Sequence, residues 1–235
     1  MEAVVESEGV TQYIYFFQKI IYFFVVILAL ASSFAFGYDP SPLQDYCVAI
    51  NDTELGVFVN GNFCKDPKEV TSNDFFFSNL FTLLDTNNQF GFNITFVFID
   101  KFPGLNTLGI SLAYGQFAPR GVSPLHFHPR GTEMVILLEG TLLVGFIASD
   151  QNNNTFFYKI LYPGDVFIFP IGQIHFGYNI GNTTAVVLVA YGSQNPGVTA
   201  ISNTIFGSNP PINPYILAKA FQLDIDVIEY LLSVF

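Results

Sequence analysis

The stretch that decides the fold begins Gly121-Val-Ser-Pro-Leu-His126-Phe-His128-Pro-Arg-Gly-Thr-Glu133 and ends Gly164-Asp-Val-Phe-Ile-Phe-Pro-Ile-Gly172-Gln-Ile-His175. It contains all three histidines of the 235-residue chain, and most residues between its two ends are β-branched, aromatic or turn-forming. Short strand-like runs separated by Gly, Pro or Asn about every ten residues are typical of a β-sandwich or barrel. The stretch therefore predicts an all-β domain.

The three histidines and Glu133 are spaced as metal ligands could be. His126 and His128 would lie on the same face of a strand, because side chains i and i+2 point the same way. Glu133 is an odd number of residues from both, so it needs the bend that Pro129-Arg-Gly131 can supply. His175 suits a neighbouring strand, although by its spacing alone it could be a buried core histidine with one hydrogen bond. An H-x-H pair alone is weak, but three histidines in one region of a charge-poor chain favour a shared metal ion.

Hydrophobic periodicity predicts further strands and two short helices. The strands are Phe92–Ile99, Thr107–Phe117, Glu133–Leu138, Thr141–Ile147, Phe156–Leu161, Val166–Phe169, Ile174–Asn179 and Ala185–Tyr191. Residues 38–105 read as an extended arm, apart from the first of these strands. The helices are Tyr215–Phe221, with Asn213 as its N-cap, and Asp224–Leu232, which Asp224 can cap. Their apolar faces fit a neighbouring subunit, or else the chain's own barrel.

Composition and charge narrow the class of partner. Only 11% of residues are charged, the net charge is −11, and Arg120 and Arg130 are the only arginines. An acidic chain with so few cations lacks the basic surface that nucleic acid requires.

The N-terminus resembles a secretory signal peptide. The apolar run Ile20–Ala31 is followed by small residues that suit cleavage after Ala35 or Gly37. Residues 1–35 are thus predicted to be removed, leaving a single domain over residues 36–235 with no stable membrane anchor. The acidic beginning of the chain is unusual for such a peptide, and an uncleaved membrane anchor is the alternative.

Secretion suggests two covalent modifications. Cys47 and Cys64, the only cysteines, would form a disulfide in an oxidising compartment, which stabilises a chain by about 3 kcal/mol for a loop of this size. Two buried free thiols are the alternative. Four N-x-[ST] sequons are candidate glycosylation sites, at Asn51, Asn93, Asn153 and Asn182. Asn153 is the strongest candidate because it lies in a polar tract typical of an exposed loop.

Two boxes of sequence resemble a known family. The first, from Gly121 through His126-Phe-His128 and Glu133 to Gly140, and the second, Gly164–Asn179, resemble the two motifs of the cupins. The flanks are similar to plant germin-like proteins: Tyr38-Asp-Pro-Ser-Pro-Leu-Gln-Asp-Tyr-Cys47, Asn60-Gly-Asn-Phe-Cys64, Pro103-Gly-Leu-Asn-Thr-Leu-Gly and Ser193-Gln-Asn-Pro-Gly197. The resemblance covers residues 38–235.

This resemblance implies a single cupin jelly-roll β-barrel with an N-terminal arm and short C-terminal helices. It further implies a Cys47–Cys64 disulfide and Mn²⁺ bound by His126, His128, Glu133 and His175. The expected assembly is a hexamer built as a trimer of dimers, exported to the extracellular space, or apoplast, of the plant cell wall.

Residues beside the ligands depart from the family pattern. Arg120 replaces a usual glycine, Phe127 is bulky, and Gly131 stands where alanine is usual. Relatives that oxidise oxalate carry two asparagines near the metal, and the matching positions here are Ala113 and Ser123, which offer no amide donor. The leading hypothesis is therefore superoxide dismutase-type redox activity, with no catalytic residue assigned beyond the metal ligands. A non-catalytic wall or receptor protein is the alternative, and oxalate oxidase is disfavoured.

Overall fold

The computed structural model describes residues 15–26, 44–51, 57–59 and 62–235. The chain divides into two units, residues 1–37 and residues 38–235. In the first unit, residues 15–26 form a helix, α1. Within the described ranges, no helix combines the length and the apolar character needed to cross a membrane. The predicted cleavage positions, Ala35 and Gly37, lie outside the described residues.

The second unit is an antiparallel jelly-roll. Its strands are β1 (Ala49–Ile50), β2 (Val57–Val59), β3 (Asn62–Cys64), β4 (Phe92–Val97), β5 (Ser111–Phe117), β6 (His126–Phe127), β7 (Glu133–Glu139), β8 (Leu142–Ile147), β9 (Phe156–Leu161), β10 (Val166–Phe169), β11 (Ile174–Asn179), β12 (Ala185–Tyr191) and β13 (Thr199–Ala200). One five-stranded sheet has the order β10-β7-β12-β5-β4, and the other has the order β13-β6-β11-β8-β9. The all-β prediction is confirmed.

All eight predicted strands are present, and four have the predicted bounds: β9, β10, β11 and β12. The strand predicted from Thr107 was too long, since β5 begins only at Ser111. Thr107 and Gly109 both have φ of 68°, a left-handed backbone conformation that interrupts an extended strand. Shortly before Thr107 the chain forms a 3₁₀ turn, Pro103–Leu105.

The core lies between the two five-stranded sheets. On β7 the side chains alternate, with Val135 and Leu137 buried and Met134 and Leu138 exposed. Leu137 is fully buried and belongs to one cluster with Val187 of the neighbouring strand β12. Burial of such a side chain stabilises the fold by roughly 1.5–3 kcal/mol. The same inward face of β7 begins with Glu133, so the core packing also places this carboxylate inside the barrel.

The N-terminal arm is more ordered than predicted. Its described part contains a three-stranded sheet of order β1-β3-β2. Cys47 and Cys64 form a disulfide, with Cα atoms 5.0 Å apart. Asn106 donates a hydrogen bond of 3.0 Å from Nδ2 to Cys47 Sγ, which ties the arm to the barrel.

The chain ends in three helices, α2 (Ile201–Phe206), α3 (Pro214–Phe221) and α4 (Ile225–Val234). The Asn213 side chain accepts a hydrogen bond of 2.9 Å from the Tyr215 N–H, so the predicted cap of α3 is confirmed. Asp224 occupies the cap position of α4, but its side chain makes no capping bond there. Helix α2 was not predicted. Leu217 and Ile228 are buried, whereas other apolar side chains of these helices are exposed, among them Tyr215, Ile216 and Tyr230.

Candidate metal centre

Strand pairing brings the predicted ligands together from both sheets. His175 on β11 lies directly opposite His126 on β6. Glu133 begins β7 in the other sheet, opposite Phe169 on β10 and Tyr191 on β12. The ligands therefore face each other across the interior of the barrel, with His128 immediately after β6.

The bend between His128 and Glu133 depends on close backbone packing. Gly131 lies against Ser193 and Pro196, and a Cβ added at Gly131 would approach the Cβ of each to 3.1 Å. The alanine usual in the family at this position would thus be tightly packed here. This bend turns the chain from one sheet to the other and aims Glu133 at the histidines.

The four side chains converge on one point. One ligand atom from each of His126, His128, Glu133 and His175 lies within 4.8 Å of all the others. Glu133 Oε2 is 2.7 Å from His128 Nε2 and 3.2 Å from His175 Nε2. His128, Glu133 and His175 are buried, and His126 is partly buried. Burial of a carboxylate is costly unless a cation or several hydrogen bonds compensate it.

Backbone carbonyls orient all three imidazole rings. The Nδ1 atoms of His126 and His175 lie 2.7 Å and 2.8 Å from the carbonyls of Pro124 and Gln173, respectively. His128 Nδ1 forms a short hydrogen bond with the Gly197 carbonyl. A carbonyl only accepts, so each Nδ1 carries the proton and a neutral ring presents its Nε2 lone pair.

These lone pairs and the carboxylate form a set of acceptors that fits a cation. His128 Nε2 is buried and has no hydrogen-bond partner, despite its proximity to Glu133 Oε2. Three imidazole nitrogens and one carboxylate are ligands of the kind that bind a divalent metal ion. The residues thus fit the ion that the sequence predicts.

The protonation states also favour ligand function. Burial is the main cause that lowers the pKa of His126 to about 4; the positive charge that His175 carries when protonated adds to it, and Glu133 opposes it only in part. Burial alone would raise the pKa of Glu133, but His128 and His175, which act on the carboxylate as hydrogen-bond donors and positive charges when protonated, outweigh it and lower that pKa to about 2. At neutral pH both groups are in the deprotonated form that binds metal.

Two aromatic side chains line the site, and neither was predicted from the sequence. The Phe169 ring stacks on His175 with centroids 4.3 Å apart. Tyr191 lies 4.8 Å from the ring of His128. Burial, and secondarily the charge of Glu133, raises the pKa of Tyr191 well above its usual value, so this phenol stays neutral. The sequence places Phe169 and Tyr191 at the ends of two predicted strands. Their position opposite Glu133 depends on the register of strand pairing, which the sequence does not reveal.

A cavity of about 110 Å³ adjoins the ligands. It is lined by His126, Glu133 and His175 together with mostly apolar side chains, including Phe92, Phe96, Phe117, Val135 and Val187. An apolar cavity of about 150 Å³ holds a benzene molecule, so the volume of this one suits a small guest. No lysine or arginine lines it in the described part of the chain.

The residues that depart from the family pattern occupy different places. Ser123 lines the cavity, and its Oγ accepts a hydrogen bond of 2.8 Å from the Gly177 N–H. Ala113 is fully buried in the core cluster. Arg120 is exposed with a φ of 64° and is not a lining residue, which agrees with a solvated loop position. Phe127 is the partly buried strand residue between the two histidines.

The sequon asparagines differ in accessibility. Asn51, Asn153 and Asn182 are exposed, whereas Asn93 is partly buried on β4. Asn93 Nδ2 donates to the Asp85 carbonyl at 2.9 Å, and its Oδ1 accepts from the Ile94 N–H at 2.8 Å. Glycosylation stays a prediction at all four positions, with Asn93 the least accessible of them.

Known proteins are similar to this chain in both sequence and fold. The cupin family profile matches residues 78–229. Germin-like protein subfamily 1 member 7 of Arabidopsis thaliana is 60% identical over 88% of this chain and 90% of its own length. Member 13 of the same subfamily is 58% identical over 87% of this chain and 92% of its own length. The chain belongs to the germin-like proteins of the cupin family. A recombinant oxalate oxidase in complex with glycolate has a TM-score of 0.80 and 40% identity, covering 84% of this chain and 98% of the oxidase.

Proposed function

We propose that this germin-like protein is a secreted manganese protein with superoxide dismutase-type redox activity. The observation that carries the proposal is the buried set of three histidines and one glutamate beside a small cavity. Dismutation converts two superoxide anions and two protons into one O₂ and one H₂O₂. A substrate of two atoms fits this small cavity.

Mn²⁺ is the ion we assign to His126, His128, Glu133 and His175. Three imidazoles and one carboxylate leave two positions open on an octahedral ion, unlike a closed structural zinc site. When bound, manganese supplies one-electron exchange with a small anion. The family resemblance supports manganese specifically, whereas the donor set alone supports a divalent transition metal.

The chain's own residues set the conditions for this chemistry. The Pro124, Gln173 and Gly197 carbonyls hold the imidazoles in the tautomer that directs Nε2 inwards. The apolar lining limits water around the site, which strengthens electrostatic interactions within it. Ser123 Oγ accepts from the Gly177 N–H, so its own hydrogen is available to donate a bond into the cavity.

Oxalate oxidation is the reaction suggested by the similar solved oxidase, but the cavity argues against it. A dicarboxylate needs hydrogen-bond donors or cations to replace its water shell. Here Ala113 is buried in the core, Ser123 offers one hydroxyl, and the described residues that line the cavity include no arginine or lysine. We therefore expect no H₂O₂ release when oxalate is added.

A non-catalytic role is the second candidate, and the origin of the ligands favours it. Glu133 comes from one sheet, and His126 and His175 come from the other. An ion bound between them would join the two sheets and stabilise the barrel. In that case folded ligand variants would keep the biological role despite losing the metal.

Secretion and assembly complete the proposal. The Cys47–Cys64 disulfide favours an oxidising compartment such as the plant apoplast. Exposed apolar residues on α3 and α4, including Ile216 and Tyr230, favour burial against other subunits of a homo-oligomer. We propose the hexamer, a trimer of dimers, that the resemblance implies.

One sample tests both roles of the site. The secreted protein is purified without added metal, its metal content is measured by mass spectrometry, and superoxide and oxalate assays follow. We expect manganese, dismutase activity and no oxalate-dependent H₂O₂. Absence of dismutase activity in fully manganese-loaded protein would refute the redox proposal and leave the non-catalytic one.

A further inference from the structure

We propose that Arg130 is a positioning residue for the metal ligand His128, acting through the backbone of residues 195–197. This inference rests on the metal centre of the proposed function, and it is independent of whether the bound metal is catalytic. Arg130 is exposed and is not one of the four clustered ligand residues. Its influence follows from the segment that it holds.

His128 is oriented by a distant part of the chain. Its Nδ1 bonds to the carbonyl of Gly197, which lies 69 residues later. Residues 193–197 lead from β12 to β13, and β13 pairs with β6 beside His128. The position of the Gly197 carbonyl therefore determines both the tautomer and the direction of the His128 ring.

Arg130 binds this segment at three points. Its Nε donates to the Asn195 carbonyl at 2.8 Å, and its Nη2 donates to Asn195 Oδ1 at 3.1 Å. Its backbone N–H donates to the Pro196 carbonyl at 3.0 Å. The planar guanidinium presents its donors in a fixed fork, so the two side-chain bonds restrain direction as well as distance.

Gly197 combines a left-handed backbone with close packing against Arg130. Its φ is 68°, a region that glycine adopts without strain. A Cβ at this position would lie 2.8 Å from Arg130 Nη2 and 3.1 Å from Pro129 Cγ. The guanidinium thus covers the glycine whose carbonyl orients His128.

The other half of the segment is anchored separately. Ser111 Oγ donates to the Ser193 carbonyl at 2.7 Å, and the Ile99 N–H donates to the Gln194 carbonyl at 3.1 Å. The Gln194 side chain also donates to Asn106 Oδ1 at 3.0 Å. Loss of the Arg130 side chain would therefore loosen residues 195–197, which keep the backbone bond from the Arg130 N–H to the Pro196 carbonyl, while residues 193–194 stay fixed to the barrel.

The expected consequence is weaker metal binding with little loss of fold. Removal of a group that orients a metal ligand typically lowers metal affinity about 10–100-fold. Arg130 acts one bond further away, through Gly197, so we expect the lower end, about 10-fold. Arg130 is exposed and is not part of the buried core cluster, so the metal-free fold should survive its substitution.

The test compares Arg130→Gln with Arg120→Gln, which removes the same group from another exposed loop. Mn²⁺ affinity is measured by competition with a chelator, the Mn(II) electron paramagnetic resonance spectrum records the ligand geometry, and thermal unfolding is followed without metal. We expect about 10-fold weaker binding and an altered spectrum for Arg130→Gln only, with partial recovery in Arg130→Lys. The metal-free melting temperature should match that of Arg120→Gln.

Two results would overturn the inference. One is an Arg130→Gln protein with wild-type affinity and spectrum, and the other is an equal affinity loss in Arg120→Gln. If Arg130→Gln does not fold, Asn195→Ala decides by the same measurements, because it removes only the Nη2 contact. Wild-type protein that binds Mn²⁺ without dismutase activity would refute the redox proposal and leave this role intact. Wild-type protein that binds no Mn²⁺ would refute both.

Discussion

Replacement of Glu133 by glutamine separates the two contributions of this residue to stability. The change keeps the shape of the side chain and removes the only carboxylate of the ligand cluster. At pH 7 the carboxylate stabilises the metal-free fold, because its pKa is lowered to about 2 from an ordinary value of 4.5. This difference corresponds to about 3 kcal/mol. The variant should lose up to that amount at neutral pH.

The sign of the pH dependence is fixed by the direction of the shift. A carboxyl with a lowered pKa in the folded state contributes stability that is fully present above pH 4.5 and is lost as the pH falls towards 2. Metal-free wild type and Glu133→Gln should thus show their full difference in stability at pH 7 and down to about pH 4.5, and should converge as the pH falls towards 2. A difference that is constant with pH would show that glutamine disturbs packing instead.

Metal binding is the second contribution of Glu133 to stability. At a free Mn²⁺ concentration 100-fold above its dissociation constant, binding stabilises wild type by about 2.7 kcal/mol. For a domain of this size that is a rise of roughly 5–10 °C in melting temperature. The rise should be absent from Glu133→Gln and retained in Glu139→Gln, a control at the exposed end of the same strand. Equal Mn²⁺-dependent rises in all three proteins would refute the assignment of Glu133 as a ligand.

Three further predictions use the same unfolding measurements. Leu137→Ala should cost about 2–5 kcal/mol because it leaves a cavity in the core, and a cost below 1 kcal/mol would contradict the packing described for β7. Replacement of Cys47 and Cys64 by serine should cost about 3 kcal/mol, and an unchanged urea midpoint would argue against it. The pKa of His126 is lowered to about 4 from 6.5, so the metal-free wild type should lose stability as the pH falls from 6.5 through 4. In His126→Gln this part of the pH dependence should be missing, and its persistence would exclude His126 as its source.

Much of the barrel could be predicted because its strands have strong local signals. The bounds of β9–β12 follow from apolar runs between Gly, Pro and Asn turns, and such runs need no tertiary information. The start of β5 could not be predicted, since Thr107 has a positive φ that a β-branched residue rarely adopts. That conformation coincides with a tertiary contact, a short hydrogen bond from the Thr107 N–H to Gln194 Oε1. Local preference was thus overridden by a partner far along the chain.

The metal site, too, could be predicted only in part. H-x-H spacing, the bend at residues 129–131 and a later histidine suggest a ligand set, because ligands must be close and share a face. The groups that orient those ligands are mostly backbone carbonyls, at Pro124, Gln173 and Gly197, and their identity leaves no residue-type signal. Arg130 likewise reads as a solvated charge until its bonds to Asn195 are seen.

The placement of the ligands links the metal to the fold. Glu133 extends the buried face of β7 that also carries Val135 and Leu137, whereas His126 and His175 belong to the opposite sheet. Loss of metal would therefore weaken the contact between the sheets as well as any chemistry at the ion. A ligand variant alone cannot tell these effects apart, because it alters both. Arg130 lies outside the core, and its proposed role is to orient His128. Its substitution should therefore change the affinity for metal while the sheets keep their packing. If dismutase activity falls with Mn²⁺ occupancy in Arg130→Gln while the metal-free melting temperature is unchanged, the activity belongs to the metal centre and does not depend on the packing of the sheets.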